Sequence, residues 1–292
     1  MSPRKQRVRV LLEGQPEWGF VQGSTIVTDD GHVIAEADAQ YLAPATPTKV
    51  IAVHMTYRSR LREFAMAEDA PPSYFLKPTT SLNGHKGVIP KPEHGRLLNY
   101  EGELACVVGQ RMKNVLPERV IDYVAGFTCA NDVGLHDFRH TDYGSMLRVK
   151  GQDGFLPLGP VLVSPRDWDP RHYMIRTYLN GRVVQEASSD ELTHTFDYLL
   201  ADISRYITLE PGDVVLTGTP ANSRPMQAGD VVEVEVSGIG RLTNQVAERP
   251  SPDATVGAQM QLSPDAVQTA FGLTEDAYRK LLAENPAYLS DL

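Results

Sequence analysis

YEGELACVVG, residues 100–109, reads as one β-strand: LACVV is the continuous apolar run expected of a buried strand, and Gly109 closes it. Period-two geometry places Glu101 and Glu103 on one face, together with Ala105 and Val107. Two carboxylates leading into a core are unfavourable unless a cation shares them. A solvated strand face is the plainer reading of an isolated E-x-E. VIDYVAGFTCAND, residues 120–132, contains a second apolar strand, and Asp132 stands where it gives way to a loop. Asp132 is either a turn or capping residue or a third ligand. Three carboxylates at the ends of core strands suit a hard octahedral ion, Mg²⁺ or Mn²⁺, and no Cys/His spacing suggests zinc.

Outward from these strands, turn residues punctuate many short segments. Residues 7–35 alternate around Gly19, Gly23 and Asp30-Gly31, which predicts a small unit of antiparallel hairpins, and 41–49 read as a linker with Pro44 and Pro47. VIAVHM, 50–55, is a short strand feeding a helix in the following TYRSRLREFAMAEDA, and 76–99 are rich in turn residues. Asn180-Gly181 inside YMIRTYLNGRVVQEA predicts a type I′ hairpin over 173–187. Ser188 and Glu191 fit a capping box, followed at helical spacing by Leu192, Phe196, Leu199, Leu200, Ile203 and Ile207, which predicts a helix over 190–207. GDVVEVEVSG directs Glu233 and Glu235 outward and Val232, Val234 and Val236 inward. Beyond Pro250, SPDAVQTAFG and TEDAYRKLLAEN carry Ser and Thr caps, with Pro264 at a first helical position. The reading is a mixed, β-rich α+β chain with an N-terminal β unit and linker over 1–49, a main domain over 50–250 and a helical extension over 251–292.

Composition narrows the function. With 28 Lys+Arg against 37 Asp+Glu the net charge is −9, which argues against nucleic acid as a partner. An anionic substrate would need local cations or a metal. No apolar run approaches the ~18 residues of a membrane span. The basic N-terminus runs into an alternating segment instead of a signal-peptide core, so a cytoplasmic location is expected. Cys106 and Cys129 fall inside apolar runs and read as buried free thiols.

Other residues could carry chemistry. Lys150, in LRVKGQDGFLPLGP, either projects into a pocket from a loop or is an exposed lysine. LTGTP, 216–220, sets Thr217 and Thr219 around Gly218, a turn able to offer hydroxyl and N–H donors to a carboxylate, or simply a strand-end turn. No nucleophile elbow, Walker A or dinucleotide fingerprint is present, which weakens serine-type hydrolysis and nucleotide binding.

Taken in order, YEGELACVVG, VAGFTCANDVGLHDF, RVKGQDGFLPLGP, LNGRVVQ, the helix at 190–207, TLEPGDVVLTGTP and GDVVEVEVSGIGRLTNQV resemble the fumarylacetoacetate hydrolase family over Val50 to Val246. The RVK-x-x-DG segment is most similar to the bifunctional decarboxylase/isomerases of homoprotocatechuate degradation. The resemblance implies a β-roll, a homodimer, and one Mg²⁺ or Mn²⁺ per subunit held by Glu101, Glu103 and Asp132. It further assigns Lys150, followed by the family's K-x₆-P spacing to Pro157, to catalysis, and Tyr57, Gln152, Gly218 and Thr219 to substrate binding.

Two departures from the family pattern bear on the reaction. Where family hydrolases carry N-Y-x-x-H-x-x-E, with His and Glu activating water, this chain reads Thr56-Tyr57-Arg58-Ser59-Arg60-Leu61-Arg62-Glu63. Arg60 stands at the base position beside Glu63, and a guanidinium cannot accept a proton from water, although it can grip a carboxylate. Arg58 and Arg62 read as a solvated helix face, and Arg60 is open between the two. His136 replaces a common family arginine and is either a substitute base or a substrate donor; His54 is a further possible base or a packed histidine. The expected function is decarboxylation or isomerisation of a small anionic 2-oxo or 2-hydroxy-dienoic di- or tricarboxylic acid through a metal-stabilised enolate. Acylpyruvate- or fumarylpyruvate-type C–C hydrolysis is the alternative enzyme, and a non-catalytic binding paralogue the alternative of another class.

Overall fold

The computed structural model describes residues 6–142, 144–251, 255–285 and Leu289. Gly102–Val108 is buried at every position. It runs through the middle of the largest of the three sheets among the described residues, antiparallel to Val124–Asn131 on one side and to Val214–Leu216 on the other. Leu156–Val163 and then Gln6–Leu12 extend the sheet beyond Val124–Asn131. On the other side lie Val50–Val53, parallel to Val214–Leu216, and Tyr74–Lys77 at the edge. The N-terminal alternation forms the expected hairpins, Gln6–Leu12 with Gln15–Gln22, then Thr25–Thr28 and Val33–Ala35. This meander continues the main sheet through the pairs Gln6↔Val163 and Arg7↔Leu162.

The second sheet has the order Arg182–Ser188, Met174–Leu179, Val231–Val236, Gly240–Arg249, Val88–Pro92. Its first hairpin turns at Asn180 and Gly181, whose φ values of 51° and 76° are those a type I′ turn requires. Val88–Pro92 lies at an edge, where Pro90 and Pro92 withhold no hydrogen bond from a central strand. That strand is hidden within a stretch whose sequence reads only as turns.

The two sheets pack through alternate residues. Leu104, Cys106 and Phe127 join Ile175, Val234, Val236 and Leu242 between the sheets, with Phe196, Leu200 and Ile203 of a helix closing one end. Ala105 and Val107 face the other way, with Val50, Leu156, Val214 and Leu216. The face shared by Ala105 and Val107 is the one that period-two spacing assigns to Glu101 and Glu103. Cys106 and Cys129 are buried and free. The architecture is mixed α+β and sheet-rich.

Three local expectations change. The helix expected over 190–207 begins only at Phe196 and ends at Tyr206, preceded by a separate 3₁₀ turn, Ser189–Glu191, capped by Ser188. The break arises because Leu192 bridges Tyr57 and the Thr193 N–H donates to the Thr56 carbonyl at 2.7 Å, which holds residues 192–193 in extended form. The helix after Val50–Val53 is only Arg58–Glu63. Lys150 is the last residue of a short helix, Leu147–Lys150, not part of a loop.

Beyond residue 250 two helices form, Pro264–Phe271 and Glu275–Glu284, with Ser263 and Thr274 accepting from the N–H groups of Ala266 and Ala277. Ala266, Val267, Ala270 and Tyr278 pack on Leu97. The Asn99 amide donates to the Ala270 carbonyl at 2.8 Å, so the extension is fastened beside the strand that leads to Glu101. No helix of the described residues is long and apolar enough to cross a membrane.

Candidate active site

Strand register assembles the acidic cluster. Gly102 pairs with Asn131, and one residue further out the Asp132 N–H donates to the Glu101 carbonyl at 2.8 Å. Gly102 faces the second sheet, where a Cβ would meet Thr177 Oγ1 at 2.1 Å. Glu101 and Glu103 therefore point to the opposite side, and ligand atoms of Glu101, Glu103 and Asp132 all lie within 4.8 Å of one another. All three residues are buried.

Two ammonium groups balance part of this charge. Lys150 Nζ lies 2.7 Å from Glu101 Oε2 and 3.1 Å from Asp132 Oδ2, and donates to the Asp132 carbonyl at 2.6 Å. Lys77 Nζ donates to Asp132 Oδ1 and, at 3.2 Å, to the Phe155 carbonyl. Burial pushes the Asp132 carboxyl up, but Lys150 and Lys77 outweigh it and hold its pKa below the usual value. Burial alone would lower Lys150; Asp132 and Glu101 reverse this, so Lys150 stays an ammonium. For Lys77 burial prevails over Asp132 and the pKa falls.

Glu103 is different. Among the described residues its carboxylate accepts one hydrogen bond, from the Gly218 N–H at 2.6 Å. Burial, then Asp132 and Glu101, push its pKa well up. A third buried carboxylate with no cation of its own is the arrangement a divalent ion would relieve, and an all-oxygen donor set suits Mg²⁺ or Mn²⁺. The residues fit such an ion.

The cluster opens into a cavity of about 240 Å³ whose walls include Arg60, Glu101, Asp132, His136, Arg139 and Lys150. Larger clefts, of about 550 and 680 Å³, contain none of the three carboxylates. Arg60 is committed to Glu63 at 2.7 Å and to Glu101 at 3.5 Å, with its guanidinium over the Phe64 ring. Glu63 sits behind it, held also by Arg224 at 2.8 Å and the Asn222 N–H. His136 is 1% exposed and neither ring nitrogen has a hydrogen-bond partner among the described residues. Burial, followed by Lys150, Arg139 and Arg60, pushes its pKa well down, so the imidazole is neutral at ordinary pH. His54 also lines the cavity, with Nδ1 3.2 Å from the Ser73 carbonyl and its ring against Phe75. Arg58 and Arg62 both pair with Glu68 away from the cavity.

The residues expected to bind substrate are placed unevenly. Gly218 directs its N–H at a carboxylate, but at that of Glu103. Its φ of +95° and the Thr56 Oγ1, 2.1 Å from where a Cβ would stand, both require glycine. Thr219 Oγ1 accepts from buried Gln185, which also grips the Pro220 carbonyl and accepts from the Gly102 N–H. Tyr57 is not in the cavity: its hydroxyl meets that of Tyr173 at 3.3 Å inside the core between the sheets. Gln152 donates to the Arg148 carbonyl at 2.7 Å and does not line the cavity.

Several site residues went unread in sequence. Lys77 had a signal, a lone lysine ending the apolar strand YFLK. Arg139 follows His136 by three residues, one helical turn, and so reaches the same cavity. Asp265, Gln268 and Thr269 of the helix Pro264–Phe271, with Leu273 just beyond its end, complete the wall, and nothing in their own spacing announces that position.

The profile of a family described as "Fumarylacetoacetate (FAA) hydrolase C-terminal" matches residues 49–247. A 4-hydroxyphenylacetate degradation bifunctional isomerase/decarboxylase of Escherichia coli is 34% identical over 242 residues, covering 82% of this chain and 55% of that protein. The chain thus spans about half the length of that relative. A mitochondrial oxaloacetate tautomerase of Xenopus laevis is 34% identical over 251 residues, 82% of this chain and 78% of its own. The crystal structure of a 5-carboxymethyl-2-hydroxymuconate delta-isomerase from Mycobacterium smegmatis superposes with a TM-score of 0.76 at 35% identity, covering 84% of this chain and all of that one, 100%.

Proposed function

The chain belongs to the fumarylacetoacetate hydrolase family, and from that premise we propose that it is a Mg²⁺- or Mn²⁺-dependent enzyme of aromatic-compound catabolism. Its substrate is a 2-oxo or 2-hydroxy-dienoic di- or tricarboxylic acid, which it decarboxylates or isomerises between enol and keto forms. The observation that carries this reading is a cluster of three buried carboxylates, two of which, Glu101 and Asp132, face one small cavity together with Lys150 and with Arg60, which stands where a water-activating base would be.

Glu101, Glu103 and Asp132 would hold the ion, which when bound supplies Lewis acidity toward the oxygens of a 2-oxo acid. Lys77 and Lys150 fix the Asp132 carboxylate, and the Gly218 N–H fixes Glu103. Lys150, kept protonated by Asp132 and Glu101, places a positive charge where an anionic substrate gains negative charge. Arg60 remains charged and paired with Glu63 and Glu101, so it positions and neutralises but takes no proton. His136, neutral and with unpaired nitrogens, is the group able to accept a proton from a substrate carbon or return it. A cavity of about 240 Å³, smaller than the ~300–1,000 Å³ of drug-sized sites, suits a small acid. Both the isomerase/decarboxylase of Escherichia coli and the tautomerase of Xenopus laevis support chemistry of this class.

Acylpyruvate-type C–C hydrolysis is the second reading, favoured by the same neutral His136, which could take a proton from water. A panel of 2-oxo acids, 2-hydroxy-dienoates and acylpyruvates, assayed with Mn²⁺ or Mg²⁺ and with chelator, separates the two. Metal-dependent CO₂ release or ketonisation without acylpyruvate cleavage is expected. Cleavage of acylpyruvates alone would replace the first reading by the second, and no turnover at all would leave a binding paralogue.

A further inference from the structure

The cavity holds one guanidinium with donors to spare. Arg60 is bound to Glu63 and Glu101. Lys150 is bound to Glu101 and Asp132. Among the described residues, the one hydrogen bond of Arg139, on the same wall, goes to the Met146 sulfur, 3.6 Å from Nη1, and a thioether is a weak acceptor. Its Nε is shut off from solvent without a hydrogen-bond partner. The nearest carboxylate, Asp265 Oδ2, lies 3.0 Å from that Nε but does not form an aligned hydrogen bond with it. A guanidinium offers five donors in a planar fork that matches a carboxylate, and here most of the fork is unmatched.

The counter-ion comes from the C-terminal helix. Asp265 stands in the first turn of Pro264–Phe271, beyond residue 247 where the family match ends. Its side chain is 64% exposed against 29% for Arg139. Rotation of an exposed side chain is enough to release the arginine, whereas Arg60 and Lys150 could be released only by uncovering buried acids. Gln268 and Thr269, one turn further along the same helix, line the cavity beside this pair.

We propose that Arg139 is the receptor for the second carboxylate of a 2-oxo diacid, and that Asp265 of the C-terminal helix is the resident competitor the substrate displaces. The proposal rests on the metal-dependent 2-oxo acid reading above and adds the determinant that selects diacids over monoacids. The 2-oxo end lies at the Lys150 side of the cavity, and the distal carboxylate exchanges places with Asp265.

Calorimetric titration of the full-length, Mn²⁺-loaded protein with pyruvate, 2-oxoglutarate and 2-oxoadipate tests this. The quantity read is the ratio of the pyruvate Kd to that of the better-bound diacid. Wild type should favour a diacid. Arg139→Gln should lower the ratio about tenfold or more, as loss of a charge-assisted hydrogen-bonded pair implies. Asp265→Asn should raise it by about threefold, the scale of an exposed ion pair. If Arg139→Gln does not fold, Asp265→Asn, on an exposed side chain, decides alone. Mn²⁺-dependent binding with a ratio unmoved by either variant would overturn this inference and leave the functional reading standing. No Mn²⁺-dependent binding of any of the three acids by wild type would overturn both.

Discussion

Lys150 crosses directly over Gly134: a Cβ on Gly134 would stand 3.0 Å from Lys150 Cε and 3.2 Å from its Nζ. Any side chain there is opposed by the lysine's path, not by the backbone, since Gly134 does not have a positive φ. Gly134→Ala should shift the ammonium by a few tenths of an ångström within a packed site. A displacement of that order costs about tenfold in kcat if charge at Nζ acts on the reacting atoms. Steady-state kinetics with Mn²⁺ binding measured in parallel provides the check. An unchanged kcat with the lysine displaced would remove Lys150 from the chemistry.

Glu103 sets a pH dependence of the metal-free protein. Burial, Asp132 and Glu101 raise its folded pKa above the unfolded value of ~4.3. Between those two values the unfolded chain binds fewer protons than the folded one, so stability falls as pH rises. Thermal melts of the metal-free protein should show that decline, and Glu103→Gln, which keeps an acceptor for the Gly218 N–H, should flatten it. The same variant should weaken Mn²⁺ binding by about a hundredfold, the upper range for disrupting a metal's surroundings. Added Mn²⁺ should raise the wild-type Tm through linkage and leave the variant nearly unmoved.

The parts of this site legible in sequence are those fixed by short-range geometry. Period-two spacing puts Glu101 and Glu103 on one face, and the core confirms it by sorting Ala105 and Val107 away from Leu104 and Cys106. Asn180-Gly181 sets its hairpin, and Ser263 and Thr274 cap their helices, because turns and caps are local. Long-range pairing was not legible. Lys77 reaches Asp132 across 55 residues of sequence, and Asp265 reaches Arg139 from a separate helical segment. Helix 190–207 failed for a related reason: its first turn is helical in propensity, but Thr56 and Tyr57 offer residues 192–193 strand-like partners. Tyr57 enters the core instead of the cavity because the motif fixes where it lies along the chain, not the direction its ring takes.

Asp213 ties the start of Val50–Val53 to Val214–Leu216. Its Oδ1 accepts from the Thr48 N–H at 2.9 Å, the Thr48 hydroxyl at 2.8 Å and the Lys49 N–H at 3.0 Å. Its Oδ2 accepts from the Glu210 N–H at 2.7 Å and from Lys49 Nζ. Burial pushes the carboxyl up, but Lys49 and these N–H groups outweigh it, and the folded pKa lies below the usual value. Its stabilisation is therefore present above the unfolded value of ~3.9 and lost as pH falls through the depressed folded value. Asp213→Asn places an amide N–H₂ among donors and should cost about 3 kcal/mol at neutral pH. Urea melts at neutral and acid pH should show that difference shrinking toward low pH, the opposite slope to that of Glu103.

Gly272 joins the C-terminal extension to the site. It terminates Pro264–Phe271 with a φ of +64°, and a Cβ there would lie 2.2 Å from Glu63 Oε1. Glu63 cannot retreat easily, because Arg60 and Arg224 hold its two oxygens. Gly272→Ala therefore meets both a left-handed backbone and a fixed carboxylate, and should cost about 2 kcal/mol. For a chain of 292 residues that corresponds to a Tm lower by roughly 3 °C. Because the clash falls at the helix end, the loss should be local first: limited proteolysis between residues 255 and 263 should accelerate before the sheets unfold. Gly272→Asn distinguishes the two causes, since asparagine tolerates a left-handed φ but carries the same Cβ. If the clash with Glu63 dominates, the asparagine variant melts and is cleaved nearly like the alanine variant. Recovery to the wild-type rate would assign the effect to backbone strain alone, and Glu63 would then play no part in seating the helix over the cavity.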